Sequence, residues 1–263
     1  MTNGELVFLK RWFADYVKSF YSTNKEDQKN IILKEKHTFN VCKNMLEITK
    51  ELCLSDNDMM IAEAIALFHD IGRFPQYAKY KTFRDRKSVN HGFLGAETLL
   101  REKILHPLPD KEQTLIIRAV RLHNAFSVSK AERDDVIFFL NLVRDADKLD
   151  IWRIFIEEYY DLPENEKPSA VGLSFEDITG YSEEVLSCVL RGQMVTLSQL
   201  KSLNDFKLLQ LSWIYDLHNG PAFRLLLERE YIDKIISHLP KDEAIKKASS
   251  VLKEYVREKV EEV

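Results

Sequence analysis

Apolar residues recur along this chain at the three- and four-residue spacing of helices, almost from end to end. Leu6, Phe8, Leu9, Trp12, Phe13, Val17 and Phe20 predict an amphipathic helix over 5–21. A second helix is predicted over 27–53. A third opens at Ser55, where Asp58 three residues later resembles a capping box. It carries Met59, Ile61, Ala62, Ile65, Ala66 and Phe68, and stops at His69-Asp70-Ile71-Gly72. The pattern then lapses. Residues 73–90 mix Phe74-Pro75, Tyr77, Tyr80 and Phe83 with Gln, Lys, Arg and Asp, and read as a long loop of the kind that is often functional in a helical protein. Helices resume over 91–104, 111–124 and 133–160, with Pro107 and Pro109 between the first two. The clearest break is 161–182, with Pro163, Pro168, Gly172 and Gly180. Beyond it, 183–190, 204–218, 221–238 and 241–261 again read as helices, the last a Lys/Glu-rich solvated one.

No strand series, internal repeat or low-complexity tract intervenes, so the expected fold is all-α. The expected organisation is a helical core over 1–160, including the first helix, and a C-terminal helical region over 161–263 packed on it as one unit. With 263 residues, 45% hydrophobic and 30% charged, the chain is an ordinary globular one, long enough for a real core. A net charge of −4 shows no electrostatic footprint for a nucleic-acid polymer or a membrane surface, yet leaves room for a local basic pocket. Cys42, Cys53 and Cys188 form no Cys-x-x-Cys pair and read as buried thiols of a reducing compartment. Glu5, Lys10, Arg11 and Asp15 do not suit a signal peptide, and no apolar run reaches the length of a membrane span. The expected location is cytoplasmic; the pattern does not speak to oligomeric state.

The candidate chemistry lies in His37, His69-Asp70, His91, His123 and the run Arg144-Asp145-Ala146-Asp147-Lys148-Leu149-Asp150. Imidazoles and carboxylates drawn from several helices of one core form a ligand set for one or two divalent ions. A buried histidine taken singly is more often a hydrogen-bonded core residue, and only the joint pattern turns the balance. On a regular helix His69 and Asp70 would point about 100° apart, but at a helix end such a pair can flank an ion. His106, His218 and His238 sit at breaks and read as surface or helix-terminal residues. Arg144 reads as an ion-pair partner, Asp145 and Asp150 as structural hydrogen-bonders, and Trp152, Phe155, Tyr159, Trp213 and Tyr215 as core.

His37, His69-Asp70 and Asp147 resemble, in order and approximate spacing, the signature of the HD superfamily of metal-dependent phosphohydrolases. Ala146-Asp147-Lys148-Leu149-Asp150 is similar to the family's closing segment, which favours Asp147 over its acidic neighbours. The resemblance spans about residues 30–155 and does not extend to the C-terminal part. His91-Gly92-Phe93-Leu94-Gly95-Ala96, with His123, is similar to the binuclear branch. His69-Asp70-Ile71-Gly72-Arg73 resembles the His-Asp-Ile-Gly-Lys of cyclic-dinucleotide phosphodiesterases, but their Gly-Tyr-Pro signature is absent after His123. Arg73-Phe74-Pro75-Gln76, with Tyr80, Thr82, Phe83, Asp85 and Ser88, resembles an uncharacterised bacterial HD subgroup.

The resemblance implies an HD-domain-like bundle with a C-terminal helical extension. It implies one ion on His37, His69, Asp70 and Asp147, with Asp70 bridging to a second on His91 and His123. The metal could be Mn, Fe, Mg, Co, Ni or Zn, as one or two ions. The implied activity is cleavage of a phosphate ester, on a nucleotide or other small phosphorylated metabolite, by a metal-activated water. Arg73 would fork onto phosphate oxygens, or else simply pair with Asp70 or another carboxylate. Lys148 would neutralise developing charge, and Gln76 with the aromatics of 74–83 would wall the substrate. Two other readings carry the same residues: an HD-fold di-iron oxygenase, and a non-catalytic HD module, which predicts degraded metal positions where this chain has none missing.

Overall fold

The computed structural model describes residues 1–163 and 179–262, and no β-strand occurs among them; the fold is all-α. Pro168 and Gly172, two markers of the expected break, lie outside the described residues. The chain divides into two compact units, Met1–Asp150 and a second beginning at Ile151. No described helix is long and apolar enough to cross a membrane.

The first unit holds α1 (Asn3–Lys18), α2 (Lys25–Glu51), α3 (Asp56–Phe68), α4 (Arg73–Tyr80), α5 (His91–Glu102), α6 (Asp110–Leu122) and most of α7 (Asp134–Phe155). Thr2 starts α1 with a full capping box to Glu5, and the helix buries its stripe of Leu6, Leu9, Phe13 and Val17. Ser55 caps α3 by accepting from the Asp58 N–H, while its own hydroxyl donates to the Asp58 carboxylate. From Ile61 to Phe68 every residue of α3 is buried, which marks it as the central helix; α1, α2 and α6 all pack on it.

Residues 73–90, expected to be a loop, instead contain α4 and a 3-10 turn at Asp85–Lys87. Phe74 and Tyr77 are one turn apart and both buried, and Pro75 falls in the first turn, where no backbone donor is needed. A short amphipathic helix with polar and aromatic faces lacks the aliphatic repeat that marks longer ones.

Two glycines set how closely α5 packs. A Cβ on Gly72 would lie 2.2 Å from the His91 carbonyl oxygen and 2.6 Å from the Gly95 nitrogen. One on Gly92 would lie 2.6 Å from Asn124 Oδ1 and 2.8 Å from the Arg121 carbonyl oxygen. The start of α5 therefore touches both the turn after Asp70 and the end of α6, which is where three of the candidate ligands lie.

The second unit contains the end of α7, a π-helical turn at Ile156–Tyr160, α8 (Glu183–Leu190), α9 (Leu203–Ser212), α10 (Gly220–Glu228), α11 (Tyr231–Ser237) and α12 (Glu243–Glu261). Trp152 is fully buried and its indole N–H donates to the Gln210 carbonyl at 3.0 Å. Phe155 and Tyr159 are core residues as expected, whereas Trp213 and Tyr215 are only half-buried. The expected 204–218 helix ends at Ser212 and tightens into a 3-10 turn over Trp213–Asp216. The expected 221–238 helix is two helices. The apolar spacing continues through Glu230, but that residue adopts a left-handed φ of 55° and redirects the chain so that α11 packs on α9 and α12. Cys42 and Cys188 are buried thiols; Cys53, expected to be buried, is exposed in the turn after α2, again at positive φ.

Candidate metal centre

Helix ends carry most of the site. His69 closes α3 with Asp70 just beyond it, His123 closes α6, and His91 is the first residue of α5, behind Asn90, whose side chain caps that helix. His37 projects from the middle of α2 and Asp147 from α7. The four histidines and Asp70 are buried.

Asp70 lies between two histidine pairs. Its Oδ2 is 3.5 Å from His37 Nε2 and 3.8 Å from His69 Nε2. Its Oδ1 is 3.3 Å from His91 Nε2 and 3.8 Å from His123 Nε2. Asp147 Oδ1 adds a further oxygen to the first pair, 3.1 Å from His37 Nε2 and 3.7 Å from His69 Nε2. Two groups, His37–His69–Asp70 and Asp70–His91–His123, are each compact enough to hold an ion, and they share Asp70.

The opposite ring nitrogens show what these groups are built for. His37 Nδ1 lies 2.7 Å from Asp150 Oδ2, and His91 Nδ1 lies 2.8 Å from Asp85 Oδ2. His69 Nδ1 and His123 Nδ1 each lie 2.7 Å from the carbonyl oxygen three residues back, of Ala66 and Val120. Carbonyl and carboxylate oxygens only accept, so each Nδ1 carries a proton, and in the neutral ring each Nε2 presents a lone pair. Those lone pairs meet at 3.3 Å between His37 and His69 and at 2.9 Å between His91 and His123. Asp147 Oδ1 is buried beside them with no hydrogen-bond donor. Facing lone pairs and an orphaned carboxylate oxygen are unfavourable unless a cation stands between them. The donor set, imidazole nitrogens with carboxylate oxygens, suits borderline divalent ions.

The electrostatics agree. Burial pushes the His69 imidazole down to about 4, and burial with the Arg73 charge pushes His91 down to about 3, so both are neutral at pH 7. Burial would raise Asp70, but Lys34 and Arg73 hold it well below the ordinary carboxylate value. Lys34 Nζ sits 2.7 Å from Asp70 Oδ2 and Arg73 Nε 3.2 Å from Oδ1. His37 goes the other way. Burial and Lys34 oppose its charge, but Asp147 and Asp150 on either side outweigh them and raise its pKa. A positive charge is favoured where that ring stands between two carboxylates, whether a proton supplies it or a metal ion displaces the proton.

All six expected ligands thus converge. The expected substrate groups are less simply placed. Arg73 Nη1 is engaged by Gln76 Oε1 at 3.0 Å, the Phe83 carbonyl at 2.5 Å and Asp85 Oδ1 at 2.9 Å. Gln76, expected in a substrate wall, is fully buried; its Nε2 donates to Asp85, Ser88 and the Val89 carbonyl, which ties the turn to α4. Lys148 is buried next to Asp147 on α7, and Asp145 and Asp150 are buried with it. Lys34 and Asn124 carry no part of the sequence pattern, and Asp85 enters it only through the subgroup resemblance, with no role at the site. Lys34 lies one turn before His37 on the same helix face, a signal that was available. Asp85 and Asn124, whose Nδ2 donates to Asp85 Oδ2 at 3.0 Å, reach the site from irregular segments with no periodic signal.

A helical unit with two histidine pairs around a shared carboxylate has the donor set of a divalent-metal site. Residues 35–152 match the family model of the HD domain, a match that encloses all six candidate ligands. HD domains bind divalent metals and are mostly metal-dependent hydrolases. No curated protein and no solved structure matches the chain significantly.

Proposed function

We propose that this chain is a cytoplasmic metal-dependent phosphohydrolase that cleaves a phosphate ester of a nucleotide or other small phosphorylated metabolite. The observation that carries the reading is Asp70, a buried carboxylate turned with one oxygen to each histidine pair. His37, His69, Asp70 and Asp147 would hold one ion, and Asp70, His91 and His123 a second. Bound ions would supply Lewis-acid polarisation of a phosphoryl oxygen and a water acidic enough to act as nucleophile at neutral pH.

The protein's own groups bind and orient the ester. Lys34 and Arg73 flank Asp70, and both lie over the Phe83 ring, at 5.4 and 6.0 Å. With Asp70 engaged by bound ions, these two cations would be available to the substrate's phosphate oxygens. Lys148 neutralises charge developing on the leaving group. A concentration of cations around a ligand set that is itself anionic favours a multiply charged substrate. Free cysteines, two of them buried, suit a reducing compartment.

The test is elemental analysis of the protein as purified, joined to a screen of phosphorylated metabolites with and without chelator, in air and under anaerobic conditions. The expected outcome is chelator-sensitive phosphate release that persists without dioxygen. Turnover that requires iron and dioxygen would assign the same ligands to oxygenase chemistry, and absence of bound metal would leave a ligand-binding module.

A further inference from the structure

The two histidine pairs are backed differently, and the difference centres on one residue. We propose that Asp85 is a positioning residue that creates the second ion site by orienting His91, so that this ion, unlike the first, depends on the turn at Asp85–Lys87. The inference rests on the metal-binding reading above.

Both Asp85 oxygens lie against His91 Nδ1, at 3.0 and 2.8 Å. The same carboxylate accepts from Arg73 Nη1 and Gln76 Nε2, each at 2.9 Å, and from Asn124 Nδ2 at 3.0 Å. Donors from α4, α5 and the residue after His123 thus converge on one carboxylate. This arrangement fixes the His91 ring about its Cβ bond, keeps the proton on Nδ1 and makes Nε2 the more basic ligand. The corresponding partner in the first pair is Asp150, which is 1% exposed and belongs to the long helix α7. The Asp85 side chain is 29% exposed and stands on a three-residue turn. That turn is held down through Gln76, whose Nε2 also reaches Ser88 Oγ at 2.8 Å and the Val89 carbonyl at 2.9 Å. Of the three candidate ligands of the second ion, His91 meets Asp85 directly, whereas Asp70 is linked to it through Arg73, whose Nε and Nη1 reach the two carboxylates.

The experiment is equilibrium dialysis of the full chain, stripped with chelator, against a series of free manganese concentrations, with bound ions per chain counted by elemental analysis. The wild-type chain is expected to take up two ions. Asp85→Ala is expected to keep the first step unchanged and to weaken the second about 10–100-fold, the usual effect of losing a ligand's hydrogen-bond partner. Asp85→Asn, which can still accept from Nδ1, should recover part of that loss. Ser88→Ala, which loosens the turn without touching Asp85, should weaken the second step in the same direction and less. Thermal melting of the metal-free variants shows that they are folded. Two ions bound by Asp85→Ala at wild-type affinity, or equal weakening of both steps, would overturn the proposal while leaving the metal centre intact. A wild-type chain that binds no manganese, cobalt or iron would instead overturn the reading on which the proposal stands.

Discussion

In each half of the centre one histidine donates to a backbone carbonyl three residues back and the other to a carboxylate. His69 and His37 do so toward Ala66 and Asp150; His123 and His91 do so toward Val120 and Asp85. The carbonyl contacts are equivalent because both rings sit at the last turn of a helix, where carbonyls lack backbone donors. The carboxylate contacts are not. Asp150 is fixed by the register of a 22-residue helix packed in the core, whereas Asp85 is fixed by side-chain hydrogen bonds from several segments. One half therefore draws its geometry from helix packing, which is stiff and resists local change. The other draws it from a polar network, where every member must be satisfied for any of them to hold.

The comparison can be broken most completely at the residue the halves share. Asp70→Ala should lose both ions by elemental analysis and bring turnover to background; full activity in that variant would rule out the centre. The next change separates the halves. His37→Ala should abolish the first ion and His123→Ala the second, read as ion stoichiometry. If both variants lose both ions, the sites fill as one unit. A subtler contrast sets Asp150→Asn against Asp85→Asn. Each should weaken one uptake step, by less than the roughly 10–100-fold expected of the alanine variant, and spare the other, in opposite order. Gly72→Ala tests packing rather than ligation. Its new Cβ would press on the His91 carbonyl, and the unfolding free energy should fall by about 1–3 kcal/mol, with the second ion more affected than the first. The smallest effect is expected at Lys103, an exposed residue with φ of 53° at the end of α5. Lys103→Gly relieves a left-handed backbone and should stabilise by up to about 1 kcal/mol in thermal or denaturant unfolding, leaving both ions untouched.

Much of this centre is legible in the chain. His37, His69, Asp70, His91, His123 and Asp147 follow the family order, and the long helices that carry them follow from apolar spacing. What escaped detection is informative. α4 was missed because Phe74 and Tyr77 are its main buried apolar anchors and a proline follows the first of them. The break at Glu230 was missed because a left-handed glutamate leaves no mark on a hydrophobic repeat. Arg73 was legible as a cation near phosphate chemistry, but its actual partners, Gln76, Phe83 and Asp85, come from contacts no spacing announces.

The order of ligands, the helical class and the glycine at position 72 are properties of the sequence itself, because helix periodicity and steric size act over a few residues. Which nitrogen of each histidine faces inward was decided only in the tertiary structure. That choice is made by whichever acceptor meets the other nitrogen, and for His37 and His91 the acceptor arrives on a different element. Asp85 and Lys34 owe their places in the site to the same cause: a side chain's electrostatic neighbours are set by how helices and turns meet, not by where residues stand along the chain.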